Sequence, residues 1–460
     1  MSRRTPTFAI VGALALSACG PKAFPTYSCD DSAAAECFEL DPTDPAVDLH
    51  EVINGLFDDS TIVLGVGSFD LDNEVASRGV NGLSIIGQGM DETILDFSNQ
   101  TIQGNGVAVV GDNFLIQDLT VLNAQKDAVR VEDSDGVTMR RVRTTWGTPD
   151  SPENGAYGLY PVKVSHVLVE ECEAFNASDA GLYVGQCQHA VIRNNIARGN
   201  VAGIEIENTQ FADVYGNLAE DNTGGLVIFD LPGNPIVGRD IHIHDNRILN
   251  NNRPNFAPGG TVAAIPSGTG TFAMASRRLE IANNEYANNN TLDIAVISGL
   301  VIEGDPSKWA LDKSSIVGDL DGLDLVDAGD QVMNFKTSEI YVHDNTHSGS
   351  GSRPDNSDPA VREMGFLLAV LYNGTTVDNV IYDAIGESSF DTADATKNSN
   401  DNHICVGASE GSFASLNLEV LAGSGVPSVS KIYRPDAPFA PFNCDALTTG
   451  PIRAAEVPGQ

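Results

Sequence analysis

Residues 180–223 read AGLYVGQCQHAVIRNNIARGNV and then AGIEIENTQFADVYGNLAEDNT, two copies of one 22-residue unit. Gly181, Gly203 and Gly225 recur at that interval. Each is followed by an apolar–x–apolar pair: Leu182/Val184, Ile204/Ile206 and Leu226/Ile228. A second alternating run inside each unit ends in Asn, at Asn194-Asn195 and again at Asn217. A third marker, Asn200 and then Asn222, stands three residues before the next Gly. Alternation within a fixed period predicts short strands joined by bends, one coil per repeat.

A strand side chain points inward at every second residue, so three short strands and their bends use up the period. One such coil cannot bury its inward face alone. Stacked coils place like positions about 4.8 Å apart and form a continuous core. Asn at the bends can ladder from coil to coil. The pattern resembles the right-handed parallel β-helix repeat of the pectin-lyase-like superfamily. The expected fold is all-β, a right-handed parallel β-helix of about ten coils.

Working outward, the units before the template are GVAVVGDNFLIQDLTVLNA from Gly106, the stretch from Ala128 with an enlarged loop at Gly147–Gly155, and the unit from Ala156. After it, the coil from Gly224 carries two insertions, Asp230-Leu231-Pro232-Gly233 and Asn252 to Pro266. The chain divides into a signal segment (1–18), a tether (19–44), the β-helix (45–351) with an acidic insertion at 305–336, and C-terminal coils and cap (352–460). A short helix from Asp44 to about Leu56 is expected to plug the open N-terminal end, where apolar side chains and strand edges would be bare. The segments FDLPG (229–233) and NNNRPNFAP (250–258) together with the repeats resemble exported bacterial right-handed β-helix repeat proteins of the lipoprotein type. That resemblance implies a partner protein, itself exported.

The address is read from the N-terminus. Arg3 and Arg4 precede the apolar run FAIVGALAL, and Leu16-Ser17-Ala18-Cys19 resembles a bacterial lipobox with Cys19 as the lipidated residue. Gly20 resembles the outer-membrane sorting pattern, so the expected location is the cell envelope, lipid-anchored. Six further cysteines permit disulfides in an exported chain. Cys29–Cys37 and Cys405–Cys444 are the expected pairs. Cys172 and Cys187 lie at different repeat positions and are expected as buried thiols. The net charge of −37 argues against nucleic acid as a partner. Residues 121–200 hold eight Lys/Arg against ten Asp/Glu and are the least acidic part.

Stacking turns repeat positions into columns. Arg130, Tyr160, Tyr183 and Glu205 form one outward column, and Glu132, Lys163, Gly185 and Glu207 the next. Asp127, Tyr157 and Asp179 sit at the preceding bends. Aromatic rings that stack on sugars and charges that hold hydroxyls or carboxylates suit a polysaccharide. Arg130, Tyr160, Lys163, Tyr183, Glu205 and Glu207 are the expected binding residues. The enzymes of the superfamily suggest lyase, epimerase or hydrolase chemistry. A basic or phenolic proton acceptor would be Lys163 or Tyr183, and paired carboxylates would be Asp179, Glu205 and Glu207. No family motif is intact. A solvated strand face, or a scaffolding role for another envelope protein without catalysis, is the alternative reading. No cofactor is expected, with Ca²⁺ a candidate through Asp319, Asp321 and Asp324, which lack EF-hand order. His242-x-His244 places two imidazoles on one face.

The lipobox reading has a direct check. Cys19→Ser is expected to leave the precursor unprocessed or to release the protein from the membrane fraction on cell fractionation. Unchanged retention of a processed chain contradicts it.

Overall fold

The computed structural model describes residues 26–44, 48–357, 363–385, 389–418 and 432–457. Cys19 and the signal segment lie outside the described residues. The described chain winds as a right-handed parallel β-helix. Its main sheet system holds 29 strands, arranged as three faces of ten to twelve rungs. In the template coil these faces are Ala202–Glu207, Gln210–Tyr215 and Leu218–Glu220. Each strand pairs in parallel with its counterpart one coil on, as Ala180↔Ala202↔Gly224 shows. Ile204, Ile206, Leu226 and Ile228 point into the central core, as the alternation requires.

The corners are made by residues in the left-handed region. Asn194 (φ 57°) is followed one coil on by Gly216 (φ 66°), and Asp245, Asn283 and Asp344 continue the same corner. Asn tolerates this conformation better than most residues. The inner Asn of each corner is buried and bonds along the helix axis. Asn195 Nδ2 donates to Asn217 Oδ1 at 2.9 Å, and Asn217 in turn to Asn246, Asn284 and Asn345 in succession at 2.9–3.0 Å. A second ladder runs Asn200–Asn222–Asn251–Asn289. Each Nδ2 also donates to a backbone carbonyl of the coil before, and each Oδ1 accepts from the backbone N–H of the preceding Asn, so bend carbonyls and amides that the strands leave unpaired are both satisfied.

Two expectations at the N-terminus change. The tether is shorter than 19–44, because Glu36–Leu40 is the first rung of the second face and pairs with Ser60–Leu64. The Cys29–Cys37 disulfide closes onto it. Helix α1 covers Leu49–Asn54, with Asp48 accepting from the His50 N–H at 2.8 Å, and buries Leu49 and Ile53 at the open end. At the other end the coils continue past residue 351 through Val380–Asp383, Ile404–Val406 and Phe413–Ser415. Phe390, Phe413, Tyr433, Phe439 and Phe442 close the core there, with Cys405–Cys444 linking cap to coil. Cys172 and Cys187 are free and buried. The 305–336 insertion forms a three-stranded antiparallel sheet of Ala310–Asp312, Val326–Ala328 and Gln331–Met333.

The ladder is testable. Asn217→Ala removes a buried amide that donates to Ile192 O and Asn246 and accepts twice from Asn195, leaving their groups unsatisfied. The expected cost is about 3 kcal/mol or more. Asn194→Gly, at an exposed left-handed corner, is expected to change stability by about 0.5 kcal/mol or less. Denaturant melts of the two variants make the comparison, and equal costs contradict the ladder.

Candidate functional site

The first face carries the strip. Its register confirms that Arg130 faces Tyr160 and that Tyr183 faces Glu205, then Val227 and Phe272. In the neighbouring column Gly185 faces Glu207, then Phe229 and Met274. Lys163 does not join them. Val162 takes the place expected for Lys163, paired with both Glu132 and Gly185. Lys163 itself turns the corner with φ 55° and is exposed. Pro161 holds an ordinary strand position opposite Val131 and adds no residue, so the alternation carries straight on from Tyr160 to Val162.

A second correction concerns exposure. The strip points away from the central core, but its far half is not open to water. Tyr183 is 4 %, Glu205 2 % and Glu207 7 % exposed. The cover is a second apolar cluster, built by Val262 and Ile265 of the long insertion and by Met364, Leu368 and Leu371 of helix α2 (Glu363–Tyr372). Phe256, Leu231, Tyr157 and Tyr160 pack at its margin. The enlarged loops are tied together above it, since Arg253 Nη1 meets Asp150 at 2.6 Å and Nη2 meets Asp221 at 2.8 Å.

The open half begins at a pocket of about 240 Å³ lined by Arg78, Asn105, Lys126, Arg130 and Glu132. Arg130 bonds Glu132 at 2.5 Å, lies 3.7 Å from Asp127, and stands over the Tyr160 ring at 5.1 Å. Three tyrosines follow, with ring centroids 4.5–4.7 Å apart: Tyr157–Tyr160, Tyr157–Tyr183 and Tyr160–Tyr183. Gly185 makes this packing fit, because a Cβ there would stand 2.2 Å from the Tyr183 hydroxyl.

Behind the tyrosines lie three carboxyl groups, Asp179, Glu205 and Glu207. Burial pushes all three up, and repulsion adds to it: from Glu207 and Asp127 at Asp179, from Asp179 and Glu207 at Glu205, and from Asp230 at Glu207. Asp179 and Glu207 are each lifted to about 7, and Glu205 well above the carboxylate range. Hydrogen bonds from Tyr157 to Asp179, and from Tyr183 and Asn234 to Glu207, offset part of the shift. The Asn234 amide donates to Glu207 at 2.7 Å. Asp179 Oδ1 and Glu205 Oε2 are fully buried with no hydrogen-bond partner among the described residues. At the open side Asp127 is lifted to about 6, by burial first, against the pull of Lys126 and Arg130. The cluster therefore holds protons at neutral pH and presents acidic and basic carboxyls side by side. Tyrosine hydroxyls line it as donors, kept protonated because burial raises Tyr157, Tyr160 and Tyr183.

Sequence reasoning put Arg130, Tyr160, Tyr183, Glu205, Glu207 and Asp179 in one place, and the structure brings them together. It missed Asn234, the burial of Asp127 and the covering insertion. One signal was available: the outward positions turn apolar at Val227, Phe229, Phe272 and Met274, which marks strands covered on both faces. The calcium candidates do not converge. Asp319 is held by Arg453 at 2.7 Å, the Asp321 N–H donates to Asp319, and Asp324 pairs with Lys336.

The buried carboxyls generate a pH prediction. Asp179 and Glu207 keep protons in the fold that the unfolded chain releases near pH 4. Their contribution to stability is complete below that and is lost as pH rises through about 7. Glu205→Gln removes one member and its repulsion. It is expected to raise stability relative to the unmodified protein at pH 8 by on the order of 2 kcal/mol, and by less at pH 4. Melting temperature followed against pH decides it. A loss at both pH values contradicts the protonated cluster.

Residues 81–241 match the family model described as "Right handed beta helix region". No curated protein matches the chain. Among solved structures, the periplasmic alginate epimerase AlgG is similar at 13% identity, covering 70% of each chain, with a TM-score of 0.42. The polygalacturonase from Erwinia carotovora ssp. carotovora is similar at 9% identity over 69% of this chain and 93% of that one, with a TM-score of 0.39. The Azotobacter vinelandii mannuronan C-5 epimerase AlgE6 A-module is similar at 15% identity over 67% and 85%, with a TM-score of 0.37. The parallel coils and the match over 81–241 show that the chain folds as a right-handed parallel β-helix.

Proposed function

We propose that the protein is a lipid-anchored envelope protein that binds a polysaccharide along the first face and acts on it by proton transfer. The single observation that carries this reading is the continuity of the strip. Arg130 and the Tyr160 ring stand at the open pocket, and the same columns lead to carboxyls that hold protons near neutrality. An acidic sugar would place its carboxylate at Arg130, which is already charged and ringed by competing acids. Its ring would stack on Tyr160. Asp179 is the member of the trio that is not wholly enclosed. It is the proton carrier in this reading, with Tyr157 as its hydrogen-bonding partner. Glu205 and Glu207 tune Asp179 electrostatically and do not touch substrate. Lys163 is outside the site.

One observation favours the second reading, a scaffold for another exported protein with no activity. Two of the three carboxyls lie under a packed apolar cover, which a bound chain could not pass without displacing the insertion.

Binding of an oligogalacturonate or oligoalginate, measured by calorimetry alongside product release, separates the readings. Arg130→Ala is expected to weaken binding about tenfold at low salt and much less at high salt, because exposed charge contacts are screened. Tyr160→Ala weakens it at every salt concentration, and Lys163→Ala leaves it unchanged. Binding with loss of product release in Asp179→Asn supports catalysis. Absence of sugar binding, with co-purification of an envelope protein, favours the scaffold.

A further inference from the structure

The second face carries a separate cluster. His242 and His244 lie on one side of the strand Arg239–His244, two residues apart. Asp213 is the in-register partner of His242 on the coil before, and Glu280 its partner on the coil after. Asp213 Oδ1 is 2.9 Å from His244 Nε2 and 3.7 Å from His242 Nδ1. One ligand atom from each of Asp213, His242 and His244 lies within 4.8 Å of the others. All three side chains are reached by solvent, with exposures of 33 %, 31 % and 20 %.

The second observation is how His244 is held. Its Nδ1 meets Asp245 at 2.7 Å. With Nδ1 donating there, Nε2 is left facing Asp213 and His242. A carboxylate behind a ligating imidazole is the usual outer support of a metal site, fixing both tautomer and ring direction. The Tyr215 ring stacks on His244 at 5.0 Å and limits its rotation.

The repeat supplies its own comparison two coils on. His343 there repeats His244, with Nδ1 on Asp344 at 2.8 Å and Nε2 on Glu280 at 3.0 Å. The place of His242 is taken by Tyr341, stacked on His343 at 3.9 Å just as His242 is stacked on His244 at 4.0 Å. The oriented His–carboxylate pair is thus part of the repeat. What distinguishes the Asp213 coil is a second imidazole added to that pair.

We propose that Asp213, His242 and His244 bind one divalent transition-metal ion of the zinc or copper class, with the remaining coordination positions open to solvent. Two imidazoles and a carboxylate suit these ions, whereas Ca²⁺ and Mg²⁺ prefer oxygen alone. Bonds of about 2.0–2.1 Å draw three such atoms to roughly 3.3 Å apart. From the present spacing this asks for side-chain rotations of about 1 Å. Glu280 stands next in register and can supply a further oxygen if it releases His343. The site lies on the second face and does not depend on the polysaccharide reading.

The test is equilibrium dialysis of the whole protein against Zn²⁺ alone, with bound metal counted per chain and thermal melts taken with and without the ion. The expected result is one bound ion and a higher melting temperature in its presence. His242→Tyr copies the Tyr341 coil, so it keeps the ring stack and the fold while losing the ion. Asp213→Asn also loses it. Asp245→Asn weakens binding about ten- to a hundredfold. His343→Ala leaves it intact. No bound zinc in the unmodified protein overturns the proposal. So does zinc retained at full stoichiometry by His242→Tyr, which would place the ion elsewhere.

Discussion

The constraint on which everything else depends is that each coil must satisfy its bends from its neighbours. Parallel strands pair their own backbones between coils, but the corners leave amides and carbonyls turned inward with no water to meet them. The Asn ladders meet this need, each side-chain nitrogen donating once forward and once back while its oxygen accepts from the coil before. They cannot run on indefinitely. The first ladder ends where Asn345 donates to Glu410, and the second where Asn289 donates to Asp293. His347 bridges these two buried carboxylates at 2.9 and 3.0 Å. Although burial works against its charge, the hydrogen bonds that its ring donates to both carboxylates lift His347 to about 9, so the two ladders close on one imidazolium. Beyond that point the coils become irregular and the aromatic cap takes over.

Because the stack fixes the lateral position of every rung, residues from different coils are brought into columns whatever their distance in sequence. Chemistry on such a scaffold is then a matter of what each column carries and what lies over it. On the first face the column changes from Arg130, Tyr160 and Glu205 to Val227 and Phe272 within a few rungs. The insertions that follow Phe229 and Asn251 cover the apolar rungs and extend over the last polar ones. That overlap creates the buried carboxyls. Glu205 and Glu207 would be ordinary ionised groups on a bare strand. Beneath the Val262–Ile265 segment they compete with Asp179 for few protons and little solvent.

The fold was legible because its signal is periodic and repeated: Gly, apolar pairs and Asn recur at fixed intervals, and each repetition tests the last. The membership of the strip was legible for the same reason. The misplacement of Lys163 has a plain cause: the alternation runs undisturbed through Pro161, so the position two residues past Tyr160 is Val162, and Lys163 already turns the corner. The burial of the strip was harder to read, because it comes from segments that break the period, at 230–233, 252–266 and 363–372. Such segments carry no repeat to align them, and where they fold is decided by the apolar surface they find. The cue lay in Val227 and Phe229, outward by alternation yet apolar. The Asp213–His242–His244 cluster needed the register between coils, which places an Asp of one repeat beside a His of the next.

Stacking and cover together hold protons on the Asp179–Glu205–Glu207 cluster at neutral pH. The most direct measurement is a pH titration of the protein labelled with ¹³C at its aspartate and glutamate carboxyls, read by NMR. A small set of carboxyl resonances with midpoints near 7 is expected, and these disappear from that range in Glu205→Gln or shift downward. If every carboxyl titrates in the ordinary acidic range, the cluster is ionised and solvated, and the cover does not hold protons on it.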